Sequence, residues 1–362
     1  MDFQIKLKPR IMKINEEKLQ EFMGKMVNEM GAAANGSLIV LGDRLGLYKT
    51  LANEGPMTSA QLAQSTGTAE RYVREWLSAQ AASAFIEFNN ETQEFHMTPE
   101  QSMVFANEDS PVIMTGAFYA ISSMYHDEPQ IAEAFKSGEG VTWGDHNNCL
   151  FCGTEKFFRP SYKANLVSSW IPALEGVEDK LKRGAKVADV GCGHGASTLV
   201  MAEAFPNSEF IGYDYHEKSI EHAAQLAKES GLSNISFEVA LAKDFPGEGY
   251  DLITFFDCLH DMGDPVGACS HAVSALKKDG SCMIVEPFAK DSLAENINPV
   301  GRAFYAFSTM LCTPTSLSQE VGLGLGAQAG EKRLRDVAIS GGFNSFRKAT
   351  ETPFNLILEA KP

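Results

Sequence analysis

Three glycines at alternate positions, Gly191, Gly193 and Gly195, follow the apolar run Lys186–Val190 and lead into a helix-forming stretch through Leu199–Ala204, in the string VADVGCGHGAST. Alternate glycines let a strand turn sharply into a helix and bring bare backbone against a ligand where side chains would clash. The spacing is D-x-G-x-G-x-G, one residue tighter than the G-x-G-x-x-G loop that seats a pyrophosphate on a helix N-terminus. Asp189 stands before the first glycine and Cys192 lies inside the loop. A carboxylate beside such a loop suits a cationic ligand and disfavours a diphosphate. A phosphate-free nucleoside with a sulfonium and an α-ammonium, S-adenosylmethionine, meets that description. Asp214 ends the apolar run FIGYD, with Tyr215 after it, near the spacing at which a carboxylate takes both ribose hydroxyls.

A second group of reactive side chains follows the run YDLITFF: Asp257, Cys258, His260 and Asp261. In an open parallel sheet ligands sit beyond the carboxyl ends of the strands, so this group belongs at the mouth of the site. Asp257 and Cys258 are expected on the cofactor side. His260 is the expected general base, since imidazole titrates near neutral pH; a histidine capping the next helix is the other reading. Asp261 would orient that imidazole or cap the helix itself. Glu286, ending MIVE, is a further polar group at the mouth, or a plain sheet-edge carboxylate. The segment 298–318, NPVGRAFYAFSTMLCTPTSLS, offers Phe304, Tyr305 and Met310 for an acceptor pocket, although aromatics and Met at helical spacing also build cores. Asp145, His146, Cys149 and Cys152 sit close in sequence, but a lone C-x-x-C without a second knuckle is a weak zinc signal. No metal is assigned.

The elements that position these groups can be read from periodicity. From Lys186 onward, apolar runs KVADV, EFIGYD, ISFEV, YDLITFFD, GSCMIVE and NLILEA alternate with helical stretches, which predicts a doubly wound, mostly parallel sheet covered on both faces. Upstream, Asn15–Ala34 reads as an amphipathic helix with Leu19, Phe22, Met23 and Met26 on one stripe, suited to a partner subunit or to its own chain. Residues 37–100 read helix, helix, helix, hairpin, with Thr58 and Thr68 as N-caps, the order of a winged helix. Residues 57–100 hold six glutamates against Arg71 and Arg74, net −4, which opposes binding to a polyanionic duplex. Residues 101–180 form a helical connector whose stretch 137–160 is the least regular, a functional loop or linker.

Composition narrows the class. Formal net charge is −16, with 31 basic and 47 acidic side chains, so no nucleic-acid partner is expected. No run reaches the ~20 apolar residues a bilayer needs, and no apolar segment suits a secretion signal. Seven cysteines, an odd count dispersed over 362 residues, read as reduced thiols in a cytoplasmic protein.

The motifs DVGCGHG, Asp214, FFDCLHDMGDP and VEPF resemble those of class I S-adenosylmethionine-dependent methyltransferases. FCGTEKFFRP, FDCLHDMGDPVGA, NPVGRAFYAFSTMLCTPTSLSQEVGLGLGAQAGE and TPFNLILEA are similar to the winged-helix small-molecule methyltransferases of the mycobacterial type. The resemblance implies a Rossmann-like seven-stranded sheet, six strands parallel and the last, Asn355–Ala360, antiparallel. It implies an N-terminal segment (1–36), a dimerising winged helix (37–100), a helical connector (101–180) and a catalytic domain (181–362). It implies methyl transfer to an oxygen, sulfur or acidified carbon of a small acceptor, by a homodimer joined through its N-terminal helices. Many members hold the adenine amino group with an acidic residue after the third strand. Leu241 occupies that place here; Lys243, Asp244 and Phe245, expected among the cofactor contacts, lie just beyond, and Asp244 or a backbone carbonyl is the candidate substitute. A winged-helix regulator and a non-catalytic S-adenosylmethionine-binding protein remain the alternatives.

Overall fold

Asn15 accepts a hydrogen bond from the Lys18 N–H and starts a helix that runs unbroken from Glu16 to Arg44 (α1). The Asn35-Gly36-Ser37 stretch, read above as a break between two helices, does not interrupt it. Asn35 donates to the Gly31 carbonyl and to Ser83 Oγ, and Ser37 donates to the Ala34 carbonyl, so these turn-forming side chains are spent inside the helix and on a neighbour. The computed structural model describes residues 14–362; the first part of the N-terminal segment lies outside the described residues. The chain divides into two compact units, ending at and beginning after Thr98.

In the first unit α1 is followed by α2 (Leu47–Glu54), α3 (Ser59–Thr66), α4 (Glu70–Ala82) and a hairpin of β1 (Glu87–Asn89) and β2 (Glu94–His96). Thr58 caps α3 in a reciprocal box with Gln61. Thr68 does not cap α4: its hydroxyl is 2.8 Å from Thr66 Oγ1, and Ala69 holds the cap position without a side-chain bond. Trp76 donates to the Leu38 carbonyl and Tyr48 to Gln80, which fix α4 against α1 and α2.

The second unit begins with α5 (Pro99–Phe105), α6 (Thr115–Ser137), α7 (Cys149–Asn165) and α8 (Val177–Arg183). The irregular stretch expected over 137–160 is therefore shorter, because its second half is helix. Gly116 and Gly153 bring α6 and α7 into backbone contact; a Cβ on Gly153 would stand 2.6 Å from the Ala120 nitrogen. Then come β3 (Lys186–Val190), α9 (Ala196–Ala204), β4 (Glu209–Asp214), α10 (Glu217–Ser230), β5 (Ile235–Val239), β6 (Tyr250–Phe256), α11 (Pro265–Ala275), β7 (Leu276–Pro287), α12 (Pro299–Phe307), α13 (Thr313–Leu317), α14 (Gly330–Ser340), β8 (Ser345–Glu351) and β9 (Asn355–Lys361).

These strands form one seven-stranded sheet in the order β5-β4-β3-β6-β7-β9-β8. Five are mutually parallel, β9 runs antiparallel between β7 and β8, and β8 thus points the same way as the five. Alternate residues feed opposite cores. Ala188, Val190, Ile253, Phe255, Ile284 and Leu358 pack toward α11 and α14. Val187, Leu252, Met283, Val285 and Ile357 pack with Trp170, Leu181 and Met201. Each fully buried aliphatic side chain contributes roughly 1.5–3 kcal/mol, which makes the central strands a rigid platform for the loops at their carboxyl ends. Among the described residues no helix is long and apolar enough to cross a membrane.

Candidate functional site

A cavity opens at the carboxyl ends of β3, β4 and β6. Its wall includes Gly191, Cys192, Gly193, Asp214, Tyr215, Asp257, Cys258 and Asp261. The loop after β3 is held open by its glycines. Gly191 has φ +74° and a Cβ there would meet Cys258 Sγ at 2.7 Å; Gly195 has φ +78° and a Cβ would enter the Phe237 ring at 2.5 Å. Both positions therefore exclude larger residues twice over, by backbone angle and by contact. Gly195 packs behind the loop and is not at the cavity wall.

Asp189 is also behind the loop. It is fully buried and accepts hydrogen bonds from Ser197, Thr198 and Thr254 at 2.6–2.9 Å. Burial pushes its carboxyl up, and the three hydroxyls oppose that. Asp189 is not on the cavity wall, and its hydrogen bonds tie the start of α9 to β6. Asp214 does reach the cavity. It accepts from the Gly193 N–H at 2.9 Å and from the His216 N–H at 2.8 Å, leaving a further lone pair on each oxygen. Burial raises its carboxyl, and those two backbone bonds pull the other way.

Past β5 the chain turns through Ala240, Leu241 and Ala242, all on the wall. The side chains of Lys243, Asp244 and Phe245 are not brought to it, which leaves the backbone of this turn as the remaining expected partner for the adenine amino group. Lys243 is ion-paired with Glu320, Asp244 donates its backbone N–H to the Leu241 carbonyl, and Phe245 is buried, stacked 5.2 Å from Tyr213 and edge-on to His271. The tight turn at 241–244 carries these side chains past the site.

At the end of β6, Asp257 adopts φ +50°, a left-handed conformation that Asp tolerates better than most residues. Its Oδ2 accepts from Tyr162 OH at 2.9 Å and its Oδ1 from Asn355 Nδ2 at 3.1 Å. Burial, with the charge of Glu286 added, raises its carboxyl to about 7. Cys258 donates to the Val190 carbonyl, and burial holds its thiol far up.

His260 is buried and is not at the cavity wall. Its Nδ1 contacts Glu286 and its Nε2 lies 3.1 Å from Asp261 Oδ1. Burial alone would lower this imidazole, but the two carboxylates outweigh it and hold the ring protonated well above the ordinary histidine range. Of His260, Asp261 and Glu286, the residue on the cavity wall is Asp261. Glu286 is likewise buried behind His260. Tyr305 and Met310 line a separate groove between α6 and α12, and Phe304 lines neither. Asp145, His146, Cys149 and Cys152 form no ligand set: His146 is paired with Asp127 and Asp145 accepts from Thr142.

The largest omission of the sequence reading is α7. Phe151, Thr154, Glu155, Phe158 and Tyr162 all line the cavity from one face of that helix, with Trp143 just before it. Their spacing of i, i+3, i+4, i+7 and i+11 is a helical stripe, the signal that would have found them. Thr315 and Gln319 close the far side.

The fold has many counterparts. It superimposes on a putative O-methyltransferase from Nostoc punctiforme with a TM-score of 0.71 at 17% identity, covering 94% of this chain and 98% of that one. Human N-acetylserotonin methyltransferase, in complex with S-adenosylmethionine, gives 0.68 at 16%, covering 97% and 99%. In sequence, a ubiquinone biosynthesis O-methyltransferase of Leptothrix cholodnii is 35% identical over 127 residues, 33% of this chain and 51% of that protein. The uncharacterised methyltransferase YcgJ of Bacillus subtilis is 30% identical over 121 residues, 32% and 47% of the respective chains. The match spans about half the length of these relatives. Family models match at residues 33–107, an Rv2258c-like winged helix-turn-helix domain, and at 181–322, a methyltransferase domain. With the sheet order and glycine loop described above, residues 181–322 are a methyltransferase domain of Rossmann-like fold, preceded at residues 33–107 by a winged helix-turn-helix domain of the Rv2258c-like type.

Proposed function

We propose that this chain transfers a methyl group from S-adenosylmethionine to a small-molecule acceptor. One observation carries the reading: among the described residues the cavity wall holds four carboxylates, Glu155, Asp214, Asp257 and Asp261, and no lysine or arginine. That donor set fits a positively charged, phosphate-free nucleoside and repels a dinucleotide. Gly193, whose missing side chain faces open space, offers bare backbone beside it. The bound cofactor supplies a methyl group already activated by its sulfonium.

The chain's part is alignment, exclusion of water and proton removal. Asp214 would accept from the ribose hydroxyls. Ala240–Ala242 would give an apolar bed for the base, with backbone groups for its amino group. The α7 aromatics and Trp143 would exclude water around the bound cofactor. Asp261 meets the acceptor and receives its proton, while His260, pinned between Asp261 and Glu286, is a positioning residue that holds that carboxylate. A hydroxyl acceptor needs this base; a thiol, with a pKa near 8.5, needs it far less.

The exposed stripe Leu19, Phe22, Met23, Met26, Val27 and Met30 on α1 supports a second copy of this chain as its cover, which would make the protein a homodimer. Calorimetric titration with S-adenosylhomocysteine tests the cofactor, with NAD as the control. Saturation by NAD and no heat from S-adenosylhomocysteine would overturn the reading. Labelled methyl transfer to paired phenol and thiol acceptors tests the chemistry, with Asp261→Asn expected to abolish the first and only reduce the second.

A further inference from the structure

We propose a divalent metal site formed by Glu155, His194 and His222, which takes zinc or a similar borderline ion and clamps the glycine loop to the helices on either side. The three residues come from three elements: Glu155 from α7, His194 from the loop between Gly193 and Gly195, and His222 from α10. No sequence spacing links them; the fold brings them together.

The donor geometry matches an imidazole–carboxylate set. Glu155 Oε2 lies 2.9 Å from His194 Nδ1 and 3.6 Å from His222 Nε2. Two donors bound at roughly 2.0–2.1 Å to a tetrahedral ion stand about 3.3 Å apart, a value these separations bracket. All three donor atoms lie within 4.8 Å of one another, and the two imidazole rings are 4.2 Å apart between centroids. Two histidines and one carboxylate are an established zinc donor set that leaves further positions for water. His194 and Glu155 are mostly buried, whereas the His222 side chain is 47% exposed and has room to swing onto the ion. The second Glu155 oxygen faces Arg159 at 3.8 Å, an outer contact that orients the carboxylate while Oε2 stays directed at the histidines.

The site has a consequence for the cavity. His194 is part of the glycine loop, and both His194 and Glu155 are on the cavity wall. An ion bound to them fixes the loop and α7 before the cofactor arrives, so less ordering remains for the cofactor to impose. Asp214, Asp257 and Asp261 stay at the wall for the cofactor's positive charge when Glu155 is on the metal, so metal tightens cofactor binding, and by linkage the cofactor tightens metal binding by the same factor.

The test uses the full chain after chelator treatment, titrated with zinc chloride alone by calorimetry and with cobalt(II) followed by its visible absorption. One zinc per chain is expected. His222→Ala and Glu155→Gln should each weaken uptake at least tenfold, with unchanged melting temperatures of the metal-free variants as the folding control. Substoichiometric uptake, or uptake indifferent to His222→Ala, overturns the site. S-adenosylhomocysteine should then bind at least fivefold tighter with zinc present in the wild type, and equally with or without zinc in His222→Ala. Zinc held by these residues with no change in that affinity overturns the clamp. The metal titration involves no cofactor, so its failure is separable from failure of the methyl-transfer reading.

Discussion

Replacing Asp257 by asparagine should stabilise the protein above neutral pH and leave it nearly unchanged in acid. The carboxyl is raised from 3.8 to about 7 in the folded chain, because burial and the charge of Glu286 oppose its ionisation. For an acid with a raised folded value, folding is favoured fully below the unfolded pKa. That advantage is lost as pH climbs through the folded one. About three pK units at 1.36 kcal/mol each set the full cost of ionisation at about 4 kcal/mol, reached above pH 7. Between pH 5 and pH 8 the variant should therefore gain about 2–3 kcal/mol over the wild type. For a unit of this size that is roughly 5–10 °C in melting temperature. Asparagine suits the site in other respects. Its oxygen can accept from Asn355 and its amide can donate to the Tyr162 hydroxyl, so neither existing hydrogen bond is orphaned. It also tolerates the φ of +50°. Calorimetric melting of the cofactor-free full chain across pH 5–8 measures the effect. Parallel melting curves for the two proteins over that range would refute the reasoning, since they would mean that Asp257 is ionised as easily in the cavity as in the unfolded chain.

Other perturbations follow from the same geometry. Gly195→Ala places a methyl in the Phe237 ring and forces a left-handed alanine, so the melting temperature should fall and S-adenosylhomocysteine affinity with it; a variant that melts and binds as the wild type does would contradict the packing. Asp214→Ala removes the acceptor of two backbone N–H groups and a cavity carboxylate, and calorimetry should show a loss of cofactor affinity of tenfold to a hundredfold. His260→Gln should lower turnover of a phenol and displace its pH–rate profile while sparing a thiol acceptor; equal losses on both would mean that His260 does not act through the Asp261 carboxylate. Met23→Glu, on the exposed stripe of α1, should shift the mass measured by light scattering from two chains to one.

The sheet and the loop that defines the cavity were legible because they are written in local rules. Fully buried parallel strands need continuous apolar runs, and Gly191 and Gly195 have no substitute. The strand β8 escaped because SFRKATE lies at the sheet edge, where Phe346 alone is buried and charges are welcome. The expected site residues that lie off the cavity wall share another cause. Position at a strand end places a residue near the mouth, but the direction of its side chain depends on a turn that sequence does not reveal. Thus His260 and Asp261, adjacent in the chain, face different surroundings, and Phe245 turns into the core while Leu241 meets the cavity. The contribution of α7 was hidden for the opposite reason: its stripe was visible, but the glycines and prolines around it read as irregular chain.

β9, which follows β8 in the chain, is not added at a border but slots between β7 and β8, and its Asn355 holds Asp257 in place. On the ribosome, the parallel half of the sheet must wait with the flank of β7 uncovered until that late segment emerges. Until β9 inserts, that open flank is the place where the growing chain is exposed to mispairing and to chaperone capture.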